Sequence, residues 1–226
     1  MLLYFIMSIA IVLQARKNSQ RCKNKMLRKF DESSLFEIQI KKFQKLTNNF
    51  NVYCAVGEKP FLTILKNYKK INLITRNKIS VESDLIENVF NYLNQIEENT
   101  ICFINPCSPF LKASTVRDAL NLFNKLNLKS LTSVIEKKTW YFDHNSKPIN
   151  DNSKCNTKIL KAIYECSHSF HIFNKKFFIK NKKYWNNKKN DPYLFKIENV
   201  EALDIDTEEE FKYIEKIYKA LKNSTR

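Results

Sequence analysis

Glycine is almost missing: the 226 residues contain one, Gly57. A phosphate cradle built on several glycines is therefore excluded, because close backbone approach to an anion must be managed with bulkier residues. No CxxC pair occurs among the six cysteines, Cys22, Cys54, Cys102, Cys107, Cys155 and Cys166. In a chain of this length they read as reduced, mostly buried thiols of a cytosolic protein. A block of like charge is also missing, although the formal net charge is +16. The lysines are spread along the whole chain, alongside abundant Asn, Ile, Phe and Tyr. That is a composition-wide bias, such as an AT-rich coding sequence imposes. No stretch interleaves aromatic and basic residues as a nucleic-acid motif does, so no specific nucleic-acid partner is expected, only polyanion binding at low salt. Nor is there a run long enough to span a bilayer. The start, MLLYFIMSIAIVL, lacks a positive n-region. Ile9–Leu13 reads as a first strand and Met1–Ile6 as a short leader, with Met7 an alternative start. A cytoplasmic protein with no membrane partner is expected.

What is present is organised around Gln14–Lys25, QARKNSQRCKNK, directly after the apolar run Ile9–Leu13. A short apolar run that ends in a polar cationic loop reads as a buried parallel strand opening into a site. Ligands collect at the carboxyl ends of such strands. Arg16, Arg21 and Lys25, with Ser19 between them, suit a triphosphate. A solvated basic loop is the plainer reading, and both stay open on this stretch alone.

Downstream, strand and helix alternate. Ser34 and Glu37 have the form of a capping box, opening a helix to about Leu46 with Leu35, Ile38, Phe43 and Leu46 inward. Asn51–Val56 is a strand ending at Gly57, where glycine permits positive φ. A short helix follows Pro60. Ile71–Thr75 is a strand ending at Arg76. Glu82–Ile96 repeats apolar residues at Leu85, Val89, Leu93 and Ile96, the period of one helix. Thr100–Ile104 is a buried strand that runs into Asn105-Pro106-Cys107-Ser108-Pro109-Phe110, a stiff loop because two prolines block continuation. Ser114–Leu126 is an amphipathic helix and Ser130–Ile135 a strand. This order predicts a three-layer α/β fold with a largely parallel sheet, in one domain over residues 1–226. The polar stretch Trp140–Lys161, with its Asn-Asp-Asn run at 150–152, interrupts the pattern. It is an excursion within 136–166 suited to a dimer contact or a lid. Ser167–Phe173 returns as a strand, and Lys175–Asn190 is too rich in Lys and Asn to assign. Val200–Asp206 then leads to a final helix, capped by Thr207 and Glu210, with Phe211, Ile214, Ile217 and Leu221 on one face.

Asp204 and Asp206 carry the second chemical signal. Residues i and i+2 on a strand point to the same side, and two carboxylates at a strand end can hold Mg²⁺. A helix cap or dipole partner explains them equally well. Cys166-x-His168-x-x-His171 also has metal-ligand residue types. Strand alternation accounts for the spacing as well as a metal does, and no fourth ligand is evident. The expectation is that His144, His168 and His171 are structural, with a sugar-side contact at His168 or His171 as the minor alternative.

Together these features resemble the cytidylyltransferases that activate acidic sugars, the CMP-N-acetylneuraminate synthetases and the 3-deoxy-manno-octulosonate cytidylyltransferases. Gln14-Ala15-Arg16-x-x-Ser19-x-Arg21-x-x-x-Lys25 looks like the family's loop after its first strand. Asn105–Phe110 looks like its N-P-T-S-P-L/F loop. Thr132-Ser133-Val134 looks like its S-V strand. Ser167–Ile172 falls where it has N-G-A-x-Y-I. Asp204-Ile205-Asp206-Thr207 with Phe211 looks like its D-I-D-x-x-x-D-F ending.

The resemblance implies a Rossmann-like nucleotidyltransferase fold. It also implies a reaction of CTP with a 2-keto-3-deoxy sugar acid, sialic-acid-like or another nonulosonic acid, giving CMP-sugar and pyrophosphate for glycan or lipopolysaccharide biosynthesis. Carried over by position, Gln14, Ala15, Arg16, Ser19, Arg21 and Lys25 bind nucleotide, with Arg16 and Lys25 catalytic. Arg76 and Ser80 lie near the nucleotide, and Asn105 and Ser108 line the pocket at cytosine or sugar. Asp204 and Asp206 ligate Mg²⁺, and the protein is a homodimer. The chain departs from the pattern by lacking glycine at Lys17, Asn18 or Asn24 and proline at Lys23. Cys107 stands for Thr or Asp, and SHSFHI lacks Asn-Gly. Asn18 and Asn24, which tolerate the left-handed region, are the expected substitutes for glycine. A non-catalytic relative that binds nucleotide weakly is the alternative reading.

Overall fold

Ile9–Gln14 forms strand β1, and its five apolar residues are all buried, Ile9 at 3% exposure and the others at 1% or less. Burial on both faces demands neighbours on both edges and a layer above and below. The computed structural model, which describes residues 8–150, 153 and 155–224, supplies them. Met1–Ile6 and Met7, and Asp151 and Asn152 of the Asn-Asp-Asn run, lie outside the described residues.

In chain order the remaining elements begin with a small hairpin, β2 (Lys29–Phe30) and β3 (Ser33–Ser34), followed by α1 (Leu35–Phe43). Then come β4 (Asn51–Val56), α2 (Lys59–Leu65), β5 (Asn72–Thr75), α3 (Lys78–Glu82), α4 (Ile86–Val89), β6 (Thr100–Ile104), α5 (Ala113–Lys125) and β7 (Leu131–Lys137). Strand β8 (Ile163–Asn174), α6 (Lys175–Asn181), β9 (Tyr193–Lys196) and α7 (Glu208–Ser224) complete the chain. The seven-stranded sheet has the order β5-β4-β1-β6-β8-β7-β9. Strand β1 pairs in parallel with β4 and β6, whereas β8 runs antiparallel to both β6 and β7.

Alternation along the strands divides the core. Ile9, Ile11 and Leu13 face one layer with Leu35, Phe36, Phe61, Leu120, Phe123 and Phe211. Ala10 and Val12 face the other, with Phe90, Tyr92, Leu93 and Phe178. The result is a three-layer α/β sandwich with a mostly parallel sheet.

Local chemistry explains the boundaries. The Thr207–Glu210 box is complete: Glu210 N donates to Thr207 Oγ1 at 3.2 Å and Thr207 N donates to Glu210 Oε2 at 2.8 Å. At α1 only half of the box forms. Ser34 Oγ caps Glu37 N at 3.2 Å, but the Glu37 carboxylate accepts from Ser33 Oγ and Tyr68 OH instead.

Two expectations are corrected. Glu82–Ile96 is not one helix but α3, α4 and a 3₁₀ stretch at Asn91–Gln95. Phe90 and Tyr92 are both buried, and residues two apart cannot share one α-helical stripe, so the backbone rewinds between them. Gly57 does not take positive φ, since no glycine does. Its requirement is space: a Cβ there would meet Val81 Cγ2 at 2.8 Å and the Arg76 carbonyl oxygen at 2.9 Å. The left-handed turns fall to residues with side chains, among them Asn24, Asp31, Asn127 and His168. Asn24 thus adopts the glycine conformation, and Asn18 does not.

Gly57→Ala is expected to lower stability by about 1–3 kcal/mol, the range for overpacking. Chemical denaturation would show it as a lower midpoint at unchanged slope.

Candidate active site

Strand order creates the site. From β1 the chain steps to β4 and β5 on one side, then returns to place β6 on the other. The carboxyl ends of β1 and β6 therefore flank a topological switch point, where open α/β sheets bind ligands. A cleft of about 390 Å³ opens there, walled by Gln14, Ala15, Arg16, Ser19 and Gln20, with Arg21, Lys25 and Met26 farther along the same loop. Phe103, Asn105, Pro106 and Cys107 close it from β6, and Asp206 from the segment before α7.

Lys25 is the most buried cation on this wall, its side chain 11% exposed. Its Nζ donates to Asp206 Oδ1 at 3.1 Å and to the Ile205 carbonyl. Burial disfavours the ammonium, but the neighbouring Cys107 sulfur and the Asp206 and Asp204 carboxylates outweigh burial and raise the pKa above the ordinary lysine value. Lys25 is thus a fixed positive charge. Arg21 Nη2 meets the other Asp206 oxygen at 2.8 Å and is mostly exposed. Arg16 bonds the Val81 carbonyl at 3.3 Å and lies 3.7 Å from Asp84. Burial pushes the Cys107 thiol up to about 12, so it stays protonated near neutral pH.

Three residues expected to bind nucleotide do not line this cleft. Arg76 is 3% exposed, and its guanidinium bonds the Ala15 carbonyl at 3.2 Å, Ser80 Oγ at 2.9 Å and the Ser80 carbonyl. Arg76 and Ser80 therefore brace the loop from behind. Ser108, within the proline loop, is fully buried, and its carbonyl accepts from Gln39 Nε2 at 2.8 Å.

The aspartates are not on a strand. Val200–Asp206 is turn and irregular backbone: Glu201 N, Ala202 N and Leu203 N bond back three residues, and Ile205 N donates to the Cys107 carbonyl at 3.1 Å, with no ladder beside it. Asp206 reaches the cleft. Asp204 sits deeper, accepting from Asn105 Nδ2 at 3.2 Å and from Ile205 N at 2.9 Å. Burial raises the Asp204 pKa, Asp206 adds to the rise, and Lys25 opposes it. This hard oxygen set, one carboxylate open to the cleft and a second behind it, fits Mg²⁺, which takes one or two carboxylates and completes its shell with water and phosphate.

Several supporting residues carried no motif. Tyr92 OH donates to Gln14 Oε1 at 2.8 Å and sets that amide. Glu58 accepts from Lys17 N at 2.7 Å, holding the loop's entry. Arg28 clamps the loop's exit, with both Glu208 oxygens at 2.9 Å and the Phe211 ring centroid 3.7 Å from its guanidinium carbon. The spacing Arg21, Lys25, Arg28 was the available signal for that clamp.

The fold and cleft define an α/β protein with a cation-lined cleft at the carboxyl ends of its sheet. The chain belongs to the cytidylyltransferase family, whose profile matches residues 9–224. In structure it is similar to CMP:2-keto-3-deoxy-manno-octonic acid synthetase, solved in complex with CTP. That match has a TM-score of 0.67 and 10% identity, and covers 94% of this chain and 99% of that one. It is also similar to the 4-diphosphocytidyl-2C-methyl-D-erythritol synthase of Anaerococcus prevotii. There the TM-score is 0.67 with 12% identity over 95% of this chain and 97% of that one. At such identities the likeness is one of fold. No curated protein sequence matches the chain. Among the described residues no helix is long and apolar enough to cross a membrane.

Lys42 gives a pH test of the site's scaffold. Its Nζ donates to the Pro109 carbonyl at 2.7 Å, and burial lowers its pKa to about 7 from 10.5. Above pH 7 the folded state gives up this proton while the unfolded state keeps it, so stability rises with pH until about 10.5. The slope is at most about 1.4 kcal/mol per pH unit. Denaturation at pH 7, 8 and 9 is expected to show that rise, and Lys42→Met to flatten it.

Proposed function

We propose that the protein is a CTP-dependent nucleotidyltransferase that activates a 2-keto-3-deoxy sugar acid, sialic-acid-like or another nonulosonic acid, releasing pyrophosphate. The observation that carries the reading is the Arg21–Asp206–Lys25 cluster on the wall of the switch-point cleft. It supplies fixed cations and an exposed carboxylate in one place, the two components that triphosphate chemistry uses. Family membership supports the cytidine nucleotide.

In this reading the triphosphate oxygens take over the Arg16, Arg21 and Lys25 donors, and Asp206 is released from its ion pairs. Asp206, backed by Asp204, would hold Mg²⁺, which when bound neutralises phosphate charge. The sugar's anomeric hydroxyl attacks the α-phosphorus, the bond to the bridging oxygen breaks, and pyrophosphate carries away the electron pair. Charge grows on the equatorial and leaving oxygens, so preorganised cations supply most of the rate. Arg16 and Lys25 are the catalytic cations. Asn105, held by Asp204, is placed for a polar contact to base or sugar. The six free thiols, three of them buried, support a cytoplasmic setting.

Calorimetric titration with CTP, UTP, ATP and GTP, with and without Mg²⁺, is expected to give selective CTP binding that Asp206→Asn weakens only when Mg²⁺ is present. Pyrophosphate release across a panel of acidic sugars is expected to fall on the order of 10²–10³-fold in Lys25→Ala. Unchanged turnover in that variant sinks the assignment. Failure to bind any nucleotide favours a non-catalytic relative.

The excursion supports a homodimer. Trp140, Phe142, Ile149 and Ile159 are 42–65% exposed there, more apolar surface than a solvated loop needs. Light scattering is expected to give twice the chain mass, and Phe142→Asp with Ile149→Asp to give the monomer.

A further inference from the structure

Cys166, His168 and His171 meet at one point, although plain alternation would not allow it. In an unbroken strand Cys166 and His168 share a face and His171, five residues from Cys166, lies on the other. Strand β8 is not unbroken. Its register against β7 jumps between Thr132, opposite His171, and Val134, opposite Cys166. Thr132 and Val134 are two apart and share a face, so their partners do too. The extra residues bulge out of β8, with His168 at a φ of 53°. Such bulges re-aim side chains.

The donor atoms converge closely. Cys166 Sγ lies 3.8 Å from His168 Nδ1, and His168 Nδ1 lies 3.4 Å from His171 Nε2. One ligand atom from each of the three falls within 4.8 Å of the others. A tetrahedral zinc ion, with bonds of about 2.3 Å to sulfur and 2.05 Å to nitrogen, separates S from N by about 3.6 Å and N from N by about 3.4 Å. Two of the three separations already match, and the third, from Cys166 to His171, is within 4.8 Å, so a small side-chain adjustment closes the set.

The surroundings prepare the donors. His171 Nδ1 is 2.8 Å from Thr132 Oγ1, which is in turn 3.3 Å from Cys166 Sγ. Protons that run from His171 Nδ1 to Thr132 Oγ1, and from that hydroxyl to sulfur, leave the His171 Nε2 lone pair free and favour thiolate. An outer-shell partner that fixes the imidazole in this way is characteristic of metal-ligating histidines. Tyr184 stacks on the His171 ring at 4.8 Å, and Trp185 meets it edge-on at 5.5 Å, so the ring cannot turn away. His171 is buried, Cys166 half-buried and His168 exposed, which leaves an open side for solvent or a ligand oxygen.

We propose that Cys166, His168 and His171 form a three-ligand site for a borderline-soft divalent cation, Zn²⁺, with an open fourth position. One sulfur and two nitrogens select against Mg²⁺, so this site is separate in chemistry from the aspartates. It lies close to the cleft, because Asn105 N donates to the Ser169 carbonyl at 2.9 Å, within the bulge. The fourth position can thus present a water or accept an oxygen of a ligand beside Asn105. The assignment does not depend on which nucleotide or sugar the cleft takes.

The test uses the full chain, stripped with chelator, then titrated with Zn²⁺ against a chromophoric competitor and with Co²⁺ by absorption. One equivalent of Zn²⁺ is expected to bind, undisplaced by millimolar Mg²⁺, and Co²⁺ to give a thiolate-to-cobalt charge-transfer band with tetrahedral d–d bands. Cys166→Ser is expected to abolish both. His168→Asn should do the same with an unchanged circular dichroism spectrum, because Asn tolerates the left-handed backbone. Thr132→Val should weaken Zn²⁺ about 10–100-fold. Cys155→Ser, at an exposed thiol, should change nothing. Absence of stoichiometric binding, a Co²⁺ spectrum without the charge-transfer band, or binding that survives Cys166→Ser or folded His168→Asn overturns the site.

Discussion

The bond between Lys25 and the Ile205–Asp206 segment joins positions 180 residues apart in sequence. Lys25 belongs to the loop after β1, and Asp206 to the approach to the last helix. Nothing in the backbone ladder links the two, so the cleft's shape depends on this cation meeting that carboxylate. Asp206 bridges two cations that would otherwise repel each other and offsets one of their two charges. An entering anion has to replace that carboxylate, which makes affinity the difference of two strong interactions and not the sum of three charges.

Behind the pair stands a brace of buried polar groups. Arg76 carries its charge into the interior to hold the Ala15 carbonyl, and Gly57 lacks a side chain so that the Arg76 backbone can come near. Tyr92 fixes Gln14 from the opposite layer. These residues touch the loop and not the open cleft. They position what the loop presents, and without glycines to fold it, the loop takes its form from such outside partners.

Much of this was legible. Six strands stood out because buried strands are short apolar runs with clear ends, and β1 with its cationic loop announced the site. Asp206, Asn105 and the loop cations came together as their order along the chain implied. What was illegible has physical reasons. Helix α6 lies in a stretch so rich in Lys and Asn that no period survives, and β9 is an edge strand of only four residues, too short to show one. The Asp204–Asp206 segment has apolar alternation but no ladder beside it, and hydrogen bonding across space is not written in a single stretch. Residues 82–96 kept a helical period, yet Phe90 and Tyr92 both needed the core. The convergence of His171 on Cys166 required a bulge, which a count of residues along one strand cannot show.

The layout also fixes when the site can exist during synthesis. Strand β1, inside the sheet, emerges before the other six, with residues 9–14, yet its second neighbour arrives only with residues 100–104 and the cleft's carboxylate with residue 206. Chains grow at about 5–20 residues per second. The nascent protein therefore carries an incompletely paired, fully apolar strand for several seconds, a natural client for chaperones. Its cleft is complete only when residue 206 has emerged, so a chain cut short before Asp206 has a sheet but lacks the cleft's carboxylate.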